Sequence, residues 1–205
     1  GAQVNFGVHK SKGNIIFFPD ADMTFDNNLI EEAVEKMKLY DSLYVPEIVI
    51  GKGLFGKIRN FERSFYNSTC IDAVRFVSRH YFKKVNGFDE KNIAFAPDDW
   101  DLTKMLKKSG ASMNITQSVK YHHEESLRLS SYLRKKIGYI DTFNAYIKKW
   151  GHEDEDVIKQ FSIKYRYFTV FVENGKWLKL LSRIDLAIGL YLIRIFLGIK
   201  YLFNR

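Results

Sequence analysis

Three features of the sequence predict an α/β fold. Apolar runs rich in β-branched and aromatic residues alternate with stretches whose apolar residues recur at three- and four-residue steps. One run, Asn14-Ile15-Ile16-Phe17-Phe18-Pro19-Asp20-Ala21-Asp22, reads as a strand buried on both faces that delivers two carboxylates at its C-terminal end. That end is where open α/β sheets bind ligands. Acidic or imidazole clusters also recur at predicted strand ends and helix starts: Asp20/Asp22, Asp89/Glu90, Asp98/Asp99/Asp101 and His122/His123/Glu124.

The elements follow in order. Gly1 to Val8 is a short helical or turn segment closed by Lys12-Gly13. On extended backbone Asp20 and Asp22 point the same way and repel, unless a cation or hydrogen-bond donors lie between them. Carboxylate oxygens suit Mg²⁺ or Mn²⁺, ions that commonly accompany a diphosphate. An isolated Asp-x-Asp is nevertheless more commonly a turn in which Asp20 caps and Asp22 is solvated. Asp26 and Asn27 can cap a helix through Leu29, Ala33, Val34 and Met37. Tyr44 to Ile50 reads as one strand, with Pro46 marking an edge or bulge. Gly51-Lys52-Gly53-Leu54-Phe55-Gly56 fits no phosphate-loop spacing and reads as a flexible connector or lid.

Ile58, Phe61 and Phe65 mark the buried stripe of a helix carrying Arg59, Glu62 and Arg63 on its other faces. Ile71 to Ser78 is a strand, followed by a short helix ending at Asn86-Gly87. Asp98 to Lys108 is a helix stopped by Gly110. Asp99, at its start, caps the helix or serves as a general base aimed into a cleft. Trp100 packs a sugar face or, as is more common, belongs to the core. Met113 to Tyr121 returns as a strand that delivers His122, an imidazole of the kind oxygen-rich metal sites often include. Leu129, Leu133, Ile140, Phe143, Ile147 and Trp150 predict one amphipathic helix of several turns. The acidic stretch from Gly151 to Asp156 is a boundary and a helix start.

The totals narrow the class. With 205 residues the chain can bury a sizeable core, and its 46% apolar content suits a globular protein rather than a disordered one. The one cysteine, Cys70, excludes an internal disulfide and a cysteine-based zinc site, and it is compatible with a reducing compartment. From Val157 onward nine basic residues face only Glu173 and Asp185, so this tail holds +7 of the formal charge of +8. A basic tail rich in Phe, Tyr, Leu and Ile points to an anionic membrane surface and not to nucleic acid. The apolar run from Leu186 to Phe203 is interrupted by Arg194. Placing that charge at a bilayer centre costs about 2.5–3.5 kcal/mol on insertion scales. The run is therefore expected to lie in the interface, the alternatives being a spanning helix or a buried helix of the domain.

Several motifs in order resemble inverting family 2 glycosyltransferases of the GT-A fold. They are Gly1-Ala2-x-x-Asn5-x-Gly7, Ile15 to Asp22, Arg59-x-Phe61-Glu62-Arg63-Ser64-x-Tyr66, Ala73-Val74-Arg75-Phe76, Val85 to Glu90, Asp98-Asp99-Trp100-Asp101-Leu102, and His122-x-Glu124 followed by Leu127-x-Leu129 and Leu133-Arg134-Lys135-Lys136. The resemblance implies a mixed sheet flanked by helices over residues 1–150, and the basic, aromatic composition makes 151–205 a helical tail expected at a membrane. It implies that Asp20 contacts the nucleotide of a nucleotide-diphospho-sugar and that Asp22 binds a divalent cation, Mn²⁺ or Mg²⁺. His122 would complete the metal or diphosphate site, with His123 the alternative one residue on. Asp99 would be the catalytic base, and Trp100, Asp98 and Arg75 would border the acceptor. The family's usual Glu-Asp pair is Asp98-Asp99 here.

The implied acceptor is a glycan or lipid-linked one, a hydroxyl or a lipid phosphate at the cytoplasmic face of a membrane, and the oligomeric state is left open. Family members carry a βαβ portion ahead of the segment matching Gly1, which holds the donor's base. The chain is thus expected to be the C-terminal part of a catalytic domain and to transfer weakly or not at all alone. The competing readings are a nucleotidyltransferase, which would want a basic, glycine-rich phosphate loop near its start, and a non-catalytic peripheral membrane module.

Overall fold

Two small mixed sheets share the strands of this chain, and the computed structural model describes residues 1–93, 95–137 and 140–203. In order come α1 (Ala2–Lys10), β1 (Ile15–Phe17), β2 (Met23–Phe25), α2 (Leu29–Lys36), β3 (Ser42–Tyr44) and β4 (Glu47–Ile50). Then follow α3 (Gly53–Arg63), β5 (Val74–Ser78), α4 (Arg79–Lys84), α5 (Asp98–Lys108), β6 (Met113–Ile115) and β7 (Lys120–His123). Helices α6 (Leu129–Ile137), α7 (Ile140–Trp150) and α8 (Glu155–Phe161) lead to a π-helical turn (Tyr165–Thr169) and to α9 (Val170–Val172). The chain closes with α10 (Trp177–Ser182) and α11 (Ile184–Phe203).

The first sheet has the order β1-β5-β3-β6 and the second β2-β7-β4. In the first, β3 runs parallel to β6; in the second, β4 runs parallel to β7. Residues 42–50 and 113–123 are therefore two parallel runs that cross together from one sheet to the other. This corrects the single strands expected over Tyr44 to Ile50 and Met113 to Tyr121. Pro46 sits at the crossing, where it has no N–H to give a ladder, and its carbonyl accepts from Lys120 N at 2.9 Å. The second run is held there by α2. Asp26, expected as a cap, instead accepts from Val119 N and from the Tyr121 hydroxyl, both at 2.8 Å. Glu32 accepts from Gln117 N and Ser118 N; burial pulls its pKa up, but these bonds bring it down to about 2.

On one side of the first sheet Val8, Ile16, Phe18, Val74, Leu102 and Leu106 form a core that joins α1 and α5 to β1 and β5. On the other, Leu29, Ala33, Leu43 and Phe76 pack α2. β1 is the edge strand here: Ile16 and Phe18 are buried, while Ile15 and Phe17 are half-buried, short of the burial on both faces expected of them. α5 begins and ends as its sequence predicts, with acidic residues in the first turn, Lys107 and Lys108 in the last, and Gly110 at φ +87° beyond it.

The predicted lid at 51–56 is instead the start of α3. A Cβ at Gly56 would lie 2.2 Å from the Gly51 carbonyl carbon, so these glycines let the helix start fold back against the end of β4. The second half of α3 is largely buried, while Leu54 and Lys57 in its first half stay exposed. Ile58, Phe61 and Phe65 face the core as expected, but Arg59 and Glu62 are buried as well. The helix predicted from Leu129 to Trp150 is helical on both sides of residues 138–139, which lie outside the described ones, as α6 and α7.

The tail packs on α3. Leu186 and Leu190 join Ile58, Phe61 and Phe65 in one core with Tyr165, Val170 and Phe171. Burying each leucine contributes about 1.5–3 kcal/mol. Trp177, Leu178, Leu181, Ile188, Leu192 and Ile199 stay exposed on the outer side. Among the described residues no helix is long and apolar enough to cross a membrane.

Candidate functional site

β1 continues to pair through Phe18 N, which donates to Arg75 O at 3.3 Å, before Pro19 frees the chain. Ala21 and Asp22 then turn into β2, so the two aspartates part company instead of pointing the same way. Asp20 lies 3.2 Å from Arg75 Nη2, and Asp22 lies 3.2 Å from His122 Nε2. Both carboxylates remain more than half exposed, at 54% and 56%.

Register places His122. β7 pairs antiparallel with β2, Met23 opposite His122, and His123 N donates to Asp22 O at 2.9 Å. His123 points elsewhere, to Thr24 Oγ1 at 2.9 Å and Glu125 at 3.0 Å. His122 is therefore the imidazole brought to Asp22. Its Nδ1 lies 3.2 Å from Glu47 Oε1. Glu47 is buried, yet Arg63 at 3.1 Å, His122 and Lys120 at 3.1 Å outweigh desolvation and hold its carboxyl well below the usual range. Burial and nearby Arg75 in turn draw the Lys120 ammonium down to about 8.

An ionised Glu47 assigns the Nδ1 proton to itself and leaves Nε2 toward Asp22. A neutral Nε2 lone pair facing a carboxylate oxygen at 3.2 Å is repulsive unless a proton or a cation lies between them. The Glu47 hydrogen bond raises the His122 pKa, which favours the proton in the free protein. The same pair also fits a divalent cation. An octahedral ion held at about 2.1 Å puts neighbouring donors about 3 Å apart. Among the described residues no group of three or more His, Cys, Asp or Glu is arranged to hold a metal. Asp22 and His122 thus offer two donors with the remaining positions open, the arrangement in which Mg²⁺ takes substrate phosphates and water.

Asp99 opens α5 on the Arg75 side. It is half-buried and accepts from Trp100 N at 2.8 Å. Burial raises its pKa, Arg75 opposes the rise, and Asp98 and Asp20 add to it. Asp98 bonds Asp99 N at 3.2 Å and lies 2.8 Å from the Gly1 nitrogen. The structure therefore pairs Asp20 with Arg75, sets Asp98 against Asp99 at the start of α5, and joins Asp22 to His122. It leaves Trp100 outside this group. Trp100 stacks on Phe143 at 6.1 Å and stands edge-on to Tyr146 at 6.4 Å, beside a cavity of about 330 Å³. Asp89 and Asp101 are drawn away too, clamping Lys149 at 2.8 and 2.7 Å.

Sequence reasoning missed Glu47 and the arginines of α3. A signal was present for Glu47: it sits in the inward phase with Val45 and Val49, all three buried.

A family model described as Glycosyl transferase family 2 matches residues 1–105, just over half of the chain. The match takes in Asp20, Asp22, Arg75 and Asp99 and stops short of β7 and the tail. A search of curated proteins returned no match.

Proposed function

The chain belongs to glycosyl transferase family 2, and we propose that it moves a sugar, with inversion, from a nucleotide-diphospho-sugar to a membrane-associated acceptor. The observation that carries this reading is the 3.2 Å approach of Asp22 to His122, with Nδ1 of the same ring secured by Glu47. Asp22 and His122 would hold Mn²⁺ or Mg²⁺. Bound there, the ion supplies positive charge against the negative charge that builds on the departing nucleoside diphosphate.

The chain's own residues do the rest. Asp20, tethered by Arg75, is placed to meet the nucleotide. Asp99 takes the proton of an acceptor hydroxyl as that oxygen attacks from the face opposite the leaving group. Burial makes Asp99 a stronger base than a free carboxylate, and Arg75 opposes that rise. A lipid phosphate is already an anion and needs no base, so Asp99 favours a hydroxyl acceptor on a lipid-linked glycan. The exposed apolar side chains of α10 and α11 support a tail lying on the cytoplasmic face of a membrane, where such an acceptor resides.

The test is Asp99→Asn in the active protein. Transfer is expected to fall about 10²–10⁴-fold while Mn²⁺-dependent donor binding is kept. Lost donor binding would instead place Asp99 in the metal site.

A further inference from the structure

We propose that Arg194, on the tail helix α11, is a positioning residue for the Asp22–His122 centre and acts through α3. The inference goes beyond the transfer reading and leans on it only for one of its two readouts.

Arg194 interrupts an apolar helix and is 5% exposed. Leu186 and Leu190 already dock that face of α11, so packing alone does not call for a guanidinium there. Burying an ion pair is costly, and its best-attested return is to fix one arrangement among several. Here the arrangement can be followed atom by atom. Arg194 Nη2 donates to Glu62 Oε1 at 2.7 Å and also to the Tyr66 hydroxyl, while Nη1 donates to the Arg166 carbonyl. The other Glu62 oxygen accepts from Arg59 Nη1 at 2.7 Å. Arg59 then forks onto Glu124 with two bonds of 3.1 Å each. Glu124 follows β7 directly, two residues past His122, and its N–H donates to Ile50 O at 2.8 Å.

Charge alternates along this chain of four side chains, from Arg194 through Glu62 and Arg59 to Glu124. Arg194 bonds one Glu62 oxygen and Arg59 the other, and Lys136 adds positive charge nearby. Arg59 is then free to share itself between Glu62 and Glu124. Without Arg194, a buried Glu62 draws Arg59 wholly to itself and the fork on Glu124 opens. One helical turn further along α3, Arg63 holds Glu47, the carboxylate behind His122, at 3.1 Å. α3 thus holds the end of β7 through Glu124 and the neighbouring β4 through Glu47, whose carboxylate meets His122, and α11 sets how α3 lies.

The experiment is native-state hydrogen exchange on the chain, with Mn²⁺ affinity as the second readout. The reporters are the amides of His123, bonded to Asp22 O, and Glu124, bonded to Ile50 O. The control is Ser78 N, bonded to Asp41 O at 2.8 Å in the other sheet. Arg194→Met is expected to lower protection of His123 and Glu124 about tenfold relative to Ser78. It should weaken Mn²⁺ about tenfold, the low end for lost outer-shell support, and Arg194→Lys should recover most of both. If Arg194→Met does not fold, the pair Arg194→Met with Glu62→Gln removes both charges and leaves Arg59 to Glu124, so protection of His123 and Glu124 is expected to stay within about twofold of the wild type, and a selective fall of about tenfold there would overturn the relay through Glu62. An equal fall at Ser78 would make Arg194 merely structural, and unchanged protection with unchanged Mn²⁺ affinity would overturn the proposal outright. Selective loss of protection in a chain whose wild type binds no Mn²⁺ would sustain the positioning role and overturn the metal reading.

Discussion

The two carboxylates at the end of β1 and the charged side chains of α3 are held in opposite ways. Asp20 and Asp22 are more than half exposed, and among the described residues Asp20 pairs with Arg75 and Asp22 with His122. Glu62, by contrast, accepts from Arg59, Arg194 and Tyr66 inside the protein, and Asp72 bonds Arg63 at 2.6 Å with 1% of its side chain exposed. Burial alone would raise the Glu62 carboxyl, but Arg194 and Arg59 more than offset it and hold it below the usual range. Charge satisfied within the protein has nothing left to offer a ligand. Charge left half-paired at a rim does, and its neutralisation becomes part of binding. The same residue types therefore serve architecture in one region and, on the proposed function, chemistry in the other.

The largest effect on stability is expected in α3. Glu62→Ala leaves Arg59 and Arg194 buried without their shared partner and should cost about 3–5 kcal/mol in urea unfolding. A loss under about 1 kcal/mol would erase the contrast between the two regions. At the other extreme stands Leu192, exposed on α11. Leu192→Ser should change stability by less than about 0.5 kcal/mol. It should lower partitioning onto anionic vesicles about tenfold, following the loss of one leucine side chain from an apolar contact. Unchanged vesicle binding would leave the exposed face of the tail without its membrane.

Much of this was legible in the sequence, for reasons that separate the two regions again. The start of α5 at Asp98, its stop at Gly110 and the placement of His122 at a strand end all follow from local chemistry: dipole, left-handed glycine, apolar alternation. The two crossings between sheets were not legible. A run such as Tyr44 to Ile50 keeps its strand character across Pro46 while its partners change, and hydrogen-bond partners are not written in periodicity. Nor were the α3 charges. A stripe of Ile58, Phe61 and Phe65 implies that Arg59, Glu62 and Arg63 face water, and it is distant partners that cover them: Arg194 on Glu62, Tyr132 and Glu124 on Arg59, Glu47 and Asp72 on Arg63. Arg194 was conspicuous for the same reason. In the sequence it is an obstacle to membrane insertion; in the fold it is the counter-charge that makes α3 buriable.

The account rests on Asp22 and His122 forming one cation-binding end of the cleft, and Mn²⁺ titration followed by electron paramagnetic resonance tests it directly. The titration would be run with a nucleoside diphosphate on the wild-type chain and on Asp22→Ala, His122→Ala and Asp99→Asn. One saturable site is expected in the wild type and in Asp99→Asn, lost in Asp22→Ala and weakened at least about tenfold in His122→Ala. Equal Mn²⁺ binding by all four proteins, or none by the wild type, would contradict it.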